Sequence, residues 1–214
     1  METEESATAE GRREGKIPSG WRWRRYSESG RLVAMDAFDM LGLPRRPWLD
    51  AAAVRAAFQE RARALHPDAE SGDAEEFARL NAAQAALSHP ATRLRLLVEE
   101  AVPRGAAATD ADLFLRIGAA VQEARGVRAR LDEATSPLAR ALLAAEIAEV
   151  RPELTACAEA VEAALAGAEE ELRSLDEAWP DVASEALARL AVRFERLLRW
   201  RKELSDRILE LTSP

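Results

Sequence analysis

From residue 36 onward, apolar side chains recur at helical spacing, and the runs are broken at Pro, Gly and Asp. Phe38, Leu41 and Leu43 define a short first helix that Asp36 caps and Gly42 and Pro44 end. Asp50 opens a second helix, where Val54, Phe58, Ala62 and Leu65 recur at i, i+4, i+8 and i+11 and mark one face. This helix must stop near His66, because Pro67 disfavours a helical residue before it. A loop with Ser71-Gly72-Asp73 follows. A third helix is predicted over 74–88, with Phe77, Leu80, Ala83 and Leu87 facing inward, and Pro90 starts a further segment bearing Leu94, Leu97 and Val98.

Residues 101–110 read as a linker, and the remainder as three long helices. The first covers about 110–134 and ends near Thr135-Ser136-Pro137. The second covers about 138–178, with Pro152 expected to kink it or start a new turn. Its seam is Val161, Leu165, Ala168, Leu172, Leu175 and Trp179, and Pro180 stops it. The third covers about 181–211 along Leu187, Leu190, Phe194, Leu197, Leu204, Ile208 and Leu211. Spacings that alternate between three and four predict an antiparallel bundle. Arg201 interrupts the last seam, so the packing is expected to drift or open there.

Residues 1–34 lack this pattern. Gly11, Gly15, Pro18, Gly20 and Gly30 break any helix, and the stretch reads as a disordered extension. It contains Trp21-Arg22-Trp23-Arg24-Arg25-Tyr26, a short aromatic and basic run of the kind that contacts nucleic acid or anionic surfaces. Met35 directly precedes the patterned sequence and is an alternative translation start.

Composition narrows the choice. The 214 residues are rich in Ala, Leu, Glu and Arg, and aromatics are only 5%, which favours helices over a β-sandwich. The net charge of −8, from 30 basic against 38 acidic residues, argues against a bulk electrostatic grip on nucleic acid. One cysteine, Cys157, and two histidines, His66 and His89, exclude an internal disulfide, a cysteine zinc cluster and a multi-histidine metal site. No apolar run approaches the ~20 residues of a membrane span, and no signal-peptide pattern opens the chain, so a cytoplasmic location is expected. There is no Gly-rich phosphate loop and no nucleophile elbow, so neither catalysis nor a cofactor is expected.

One motif carries information. His66-Pro67-Asp68 ends an amphipathic helix, with Phe38-Asp39-Met40-Leu41-Gly42-Leu43-Pro44 upstream by one helix and a loop. In this context the sequence resembles the J-domain of DnaJ-type co-chaperones. More specifically, it resembles the HscB subfamily over residues 36–98. That pattern continues in Leu49-Asp50, Phe58-Gln59-Glu60, Leu80-Asn81, Ala83, Leu87, His89-Pro90, Arg93 and Leu97. The resemblance implies an all-α chain, with a J-domain helical hairpin over 35–100, a linker over 101–110 and a three-helix antiparallel bundle over 111–214.

It further implies a DnaK/HscA-type chaperone ATPase as partner. Docking of His66, Pro67 and Asp68 would favour the partner's hydrolysis-competent state, with Arg55, Arg61 and Arg63 supplying positive charge. Physically, the proline fixes φ while the imidazole and carboxylate offer charge-assisted hydrogen bonds. In HscB proteins the first bundle helix contacts the iron–sulfur scaffold protein, and here Phe114, Leu115 and Glu123 fall in that pattern. The match has departures. Ala69 stands where the family has lysine, and Arg116 stands where it has methionine. Three arginines against Asp50 and Glu60 also leave the second helix only weakly basic. A J-protein with another client, and a helical scaffold with a degenerate J-domain, are the alternative readings. His89-Pro90 reads as a helix junction, and Cys157, Trp48, Trp179 and Trp200 as packing residues.

Overall fold

The computed structural model describes residues 37–65, 73–98 and 110–212, and among them every regular element is an α-helix. α1 (Ala37–Leu41) ends as its sequence predicts. Gly42 takes a left-handed turn (φ 63°), so its N–H reaches the Asp39 carbonyl at 3.1 Å and the Leu43 N–H reaches the Phe38 carbonyl at 2.9 Å. Asp36 lies outside the described residues. α2 (Ala51–Leu65) starts at Asp50, whose carboxylate accepts the Ala52 and Ala53 N–H groups at 3.3 Å each. α3 (Ala74–Ser88) starts at Asp73, which accepts from Glu75 and Glu76 at 2.8 and 3.1 Å. His89 then separates α3 from α4 (Pro90–Leu97), and Pro90 occupies the first turn, where its missing N–H costs nothing.

Three longer helices follow: α5 (Ala111–Glu133), α6 (Pro137–Glu177) and α7 (Ser184–Thr212). Ser136 caps α6 by accepting the Ala139 N–H at 3.1 Å. Ion pairs between the helices give their directions. Arg116 meets Glu153 and Arg130 meets Glu146, so α5 and α6 are antiparallel. Arg193 meets Glu171 and Arg201 approaches Glu162, so α6 and α7 are antiparallel too. Arg196 meets Asp110 and Arg125 meets Glu203, so α5 and α7 run parallel. The result is the up-down-up bundle that the seams predict.

The expectation for Arg201, and one of the two for Pro152, need correction. Pro152 does not start a new helix, because α6 continues through it for 41 residues. Pro152 and Ala148, whose carbonyl loses its partner, are both exposed, so water can take up the freed carbonyl. Arg201 does not open the last seam either. The seam passes through Trp200, which is buried three residues after Leu197 and four before Leu204, while Arg201 points to solvent. The seam steps by three from Leu197 to Trp200 and then by four to Leu204.

Residues 35–214 form one unit with a continuous apolar core that runs from Phe38 to Leu211. α7 packs against α4, α5 and α6, and its buried set is correspondingly wide, with Leu187, Ala188, Leu190, Ala191, Phe194 and Leu197 all inside. Each buried leucine contributes about 2 kcal/mol through the area it removes from water.

A polar node closes the same junction. Asp176, in the last turn of α6, has a side chain only 6% exposed. Its Oδ1 accepts Arg46 Nε at 2.9 Å and the Trp48 N–H at 3.0 Å, and its Oδ2 pairs with Arg46 Nη2. On the other side of that segment, buried Arg93 of α4 donates to the Pro47 carbonyl at 2.7 Å and to the Leu87 carbonyl at 2.6 Å. Burial pushes the Arg93 guanidinium down to about 10, and the charge of Asp176 opposes that shift. The Arg46-Pro47-Trp48 strip is thus held from α6 and from α4 at once. Asp176→Ala is expected to destabilise the fold by about 2 kcal/mol, because it leaves the Trp48 N–H and the buried Arg93 charge unanswered. Urea denaturation measures this, and Arg46→Ala, at a half-exposed partner, should shift the midpoint less. An unchanged midpoint for Asp176→Ala would show that the node contributes nothing.

Candidate functional site

α2 packs on α3. A shallow groove lined by Phe58, Ala62 and Arg63 from α2 and by Phe77 from α3 brings the end of one helix beside the start of the other, so the pair is a hairpin. His66, Pro67 and Asp68 belong to its seven-residue connection and lie outside the described residues, as does Ala69. The described frame on either side consists of Leu65, the last residue of α2, and Asp73, the cap of α3.

The three arginines assigned to this face do not share one environment. Arg55 and Arg63 are exposed on α2. Arg61 turns back onto α1, where its Nη1 donates to the Asp39 carbonyl at 3.2 Å and to the Met40 carbonyl. Those carbonyls belong to a helix C-terminus, where a cation is favoured and acceptors lack intrahelical partners. The guanidinium fills the space beside Gly42, and any Cβ at that position would collide with it. The free positive charge on α2 therefore falls to Arg55 and Arg63. The sequence does not single out Arg61, since Arg61 and Arg55 both border the apolar face of α2 and only Arg63 lies opposite that face.

The second set of residues lies on α5. Phe114 and Leu115 in its first turn are 54% and 67% exposed, although both are large and apolar. Glu123 is exposed two turns further along. The Phe114 ring stacks on Trp200 of α7, with centroids 5.8 Å apart. Arg116 does not carry a free charge between them, because its Nη2 is 2.9 Å from Glu153 Oε1. That bond holds the Glu153 carboxyl below its usual range. Cys157 Sγ lies 3.6 Å from the same carboxylate, and burial pushes the thiol up, as suits a packing residue. Among the described residues no cluster of His, Cys, Asp and Glu could hold a metal ion. None of their helices is long and apolar enough to cross a membrane.

Sequence reasoning missed Asp176 and the seam position of Trp200. Gly42→Ala tests the α1 turn. It forces a Cβ into the left-handed region and against Arg61, so a loss of about 1–2 kcal/mol is expected in thermal or urea unfolding. A wild-type midpoint would mean that the turn and the Arg61 contact are not formed as described.

Comparison with known proteins agrees with this geometry. Residues 36–96 match the DnaJ domain family. Among solved structures, the chain is similar to chaperone HscB from Vibrio cholerae. The two are 19% identical, the likeness covers 80% of this chain and 96% of that one, and the TM-score is 0.50. At that identity the likeness is one of fold. No curated protein matches the chain. Residues 36–96 thus carry a DnaJ domain, and the helices that follow are arranged in an HscB-like fold.

Proposed function

We propose that the chain is a J-protein co-chaperone that catalyses nothing itself. Residues 35–100 are its chaperone-docking module, 101–110 a linker, and 111–214 the module that carries the client. His66, Pro67 and Asp68, with Arg55 and Arg63 beside them, dock on a DnaK/HscA-type chaperone ATPase and favour its hydrolysis-competent state. Arg61 supports this surface through α1. The client is the iron–sulfur cluster scaffold protein, which is met by Phe114, Leu115 and Glu123. The observation that carries the reading is the pairing of a DnaJ domain with an HscB-like bundle whose first helix exposes two adjacent large apolar side chains. Exposed apolar groups of that size, set in a polar surround, mark contact surfaces.

A second reading keeps the co-chaperone and changes the client. It is favoured by Arg116, which places a charged side chain, paired to Glu153, on the face where the resemblance has methionine. Two measurements separate the readings. Wild-type protein is expected to stimulate ATP hydrolysis by a cognate DnaK-type chaperone, and His66→Gln to lower that stimulation about tenfold or more through lost charge-assisted hydrogen bonds. Absence of stimulation by the wild type would end the co-chaperone reading. In a titration with the scaffold protein, Phe114→Ala is expected to weaken binding about tenfold or more. Wild-type affinity in that variant would remove the α5 face, and no binding by the wild type would leave the second reading.

A further inference from the structure

The ring of Phe114 is fixed although it is more than half exposed, and the fixing comes from α7. Trp200 is buried, only 6% exposed, so its indole cannot swing out to follow a neighbour. Phe114 lies on that indole with planes 28° apart. The guanidinium of Arg196 sits 5.4 Å from the centroid of the same indole. Arg196 Nη2 then donates to Asp110 Oδ2 at 2.9 Å, and Arg193 Nη2 reaches Asp110 Oδ1 at 3.3 Å. Asp110 returns to the start of this circuit, because its backbone carbonyl accepts the Phe114 N–H at 3.0 Å. Main chain and ring of one exposed residue are therefore both referred to α7.

We infer that Trp200 is a positioning residue for partner binding: it holds the Phe114 ring in the orientation in which the bundle presents it. This rests on the reading of the α5 face as the client surface. Had the contact served only packing, the ring would be buried, yet it remains available on one side while its plane is set on the other. An aromatic anchor already ordered in the free protein loses less freedom on docking, and stacked aromatic pairs are favourable beyond the area they bury. The surface that accepts it is an apolar cleft for one aromatic and one aliphatic side chain, Phe114 and Leu115.

The test is calorimetric titration of the full chain with the iron–sulfur scaffold protein, using Phe114→Ala, Trp200→Leu, Trp200→Phe and the double variant Phe114→Ala/Trp200→Leu. Trp200→Leu is expected to weaken binding about three- to tenfold, and Trp200→Phe to recover most of it. The double variant should bind no more weakly than Phe114→Ala alone, since Trp200 acts only through that ring. A purely structural role for Trp200 predicts additive losses instead, and additivity overturns the inference. So does wild-type affinity for Trp200→Leu when Phe114→Ala is impaired. If Phe114→Ala itself binds like wild type, the client-face reading fails and takes the inference with it. Should Trp200→Leu not fold, Arg196→Met replaces it: it removes the guanidinium from the indole and should weaken binding about twofold, whereas wild-type affinity again overturns the inference.

Discussion

The arrangement depends on one carboxylate. Asp176 closes the last turn of α6, and it is the acceptor on which the α1–α2 connection docks, through Arg46 and the Trp48 main chain. Without it, the DnaJ domain would meet the bundle mainly through apolar contact, which is not directional, and through the exposed Arg95–Glu195 pair between α4 and α7. Hydrogen bonds have direction. With Asp176 on one side and Arg93 on the other, three consecutive residues, Arg46, Pro47 and Trp48, are fixed in main chain and side chain. Arg173 over the Trp48 ring, at 6.0 Å from its centroid, adds a further contact from α6. A buried charge with several donors makes a small but demanding joint, because any other docking angle leaves Asp176 unpaired.

For the proposed activity, that joint sets the relation between the two surfaces. A co-chaperone that joins chaperone and client converts two separate encounters into one, and the gain depends on whether both can be engaged together. A flexible tether satisfies this loosely. A fixed joint defines the distance and direction from the α2–α3 hairpin to the first turn of α5. The same helix serves both ends: α7 lies against α4 on the docking side and holds Phe114 and Asp110 on the client side. Its mixed surface, with alanines where helices approach and arginines at the rim, follows from serving three neighbours.

What the sequence revealed and what it hid follow a physical division. Features set within a few residues were legible. Asp50 caps the helix it was expected to cap, Gly42 closes α1, α3 starts directly after the Ser71-Gly72-Asp73 loop, and the seams of α3, α6 and α7 face inward. Features set by partners far away in the chain were not. Asp176 stands among Glu169, Glu170, Glu171 and Glu177 and looks like any acid on a solvated face, because its donors come from residues 46 and 48. Arg61 looked like Arg55 and Arg63 until α1 was seen beside it. Trp200 was hidden by a one-residue ambiguity, since steps of three and four are equally helical and only neighbouring helices decide between them. The hairpin tip is the converse case: its composition is readable in the sequence, while its three residues lie outside those described.

The distribution of charge then constrains how the hairpin can find a partner. The chain carries −8 overall, and with Arg61 held by α1 only two free arginines remain on α2. Fields from two exposed guanidinium groups fade over about 8 Å at physiological salt. Long-range steering is therefore weak, and in the proposed function the encounter with the chaperone is completed by short contacts. Under the proposed function, selectivity then rests on His66 and Asp68, whose imidazole and carboxylate form hydrogen bonds that act only at contact distance and in fixed directions. It also accounts for a stable hairpin base. The proposed docking requires α2 to leave α1 at a defined angle, and the Arg61 contact with the carbonyl end of α1 adds a directional hold to the apolar packing between them.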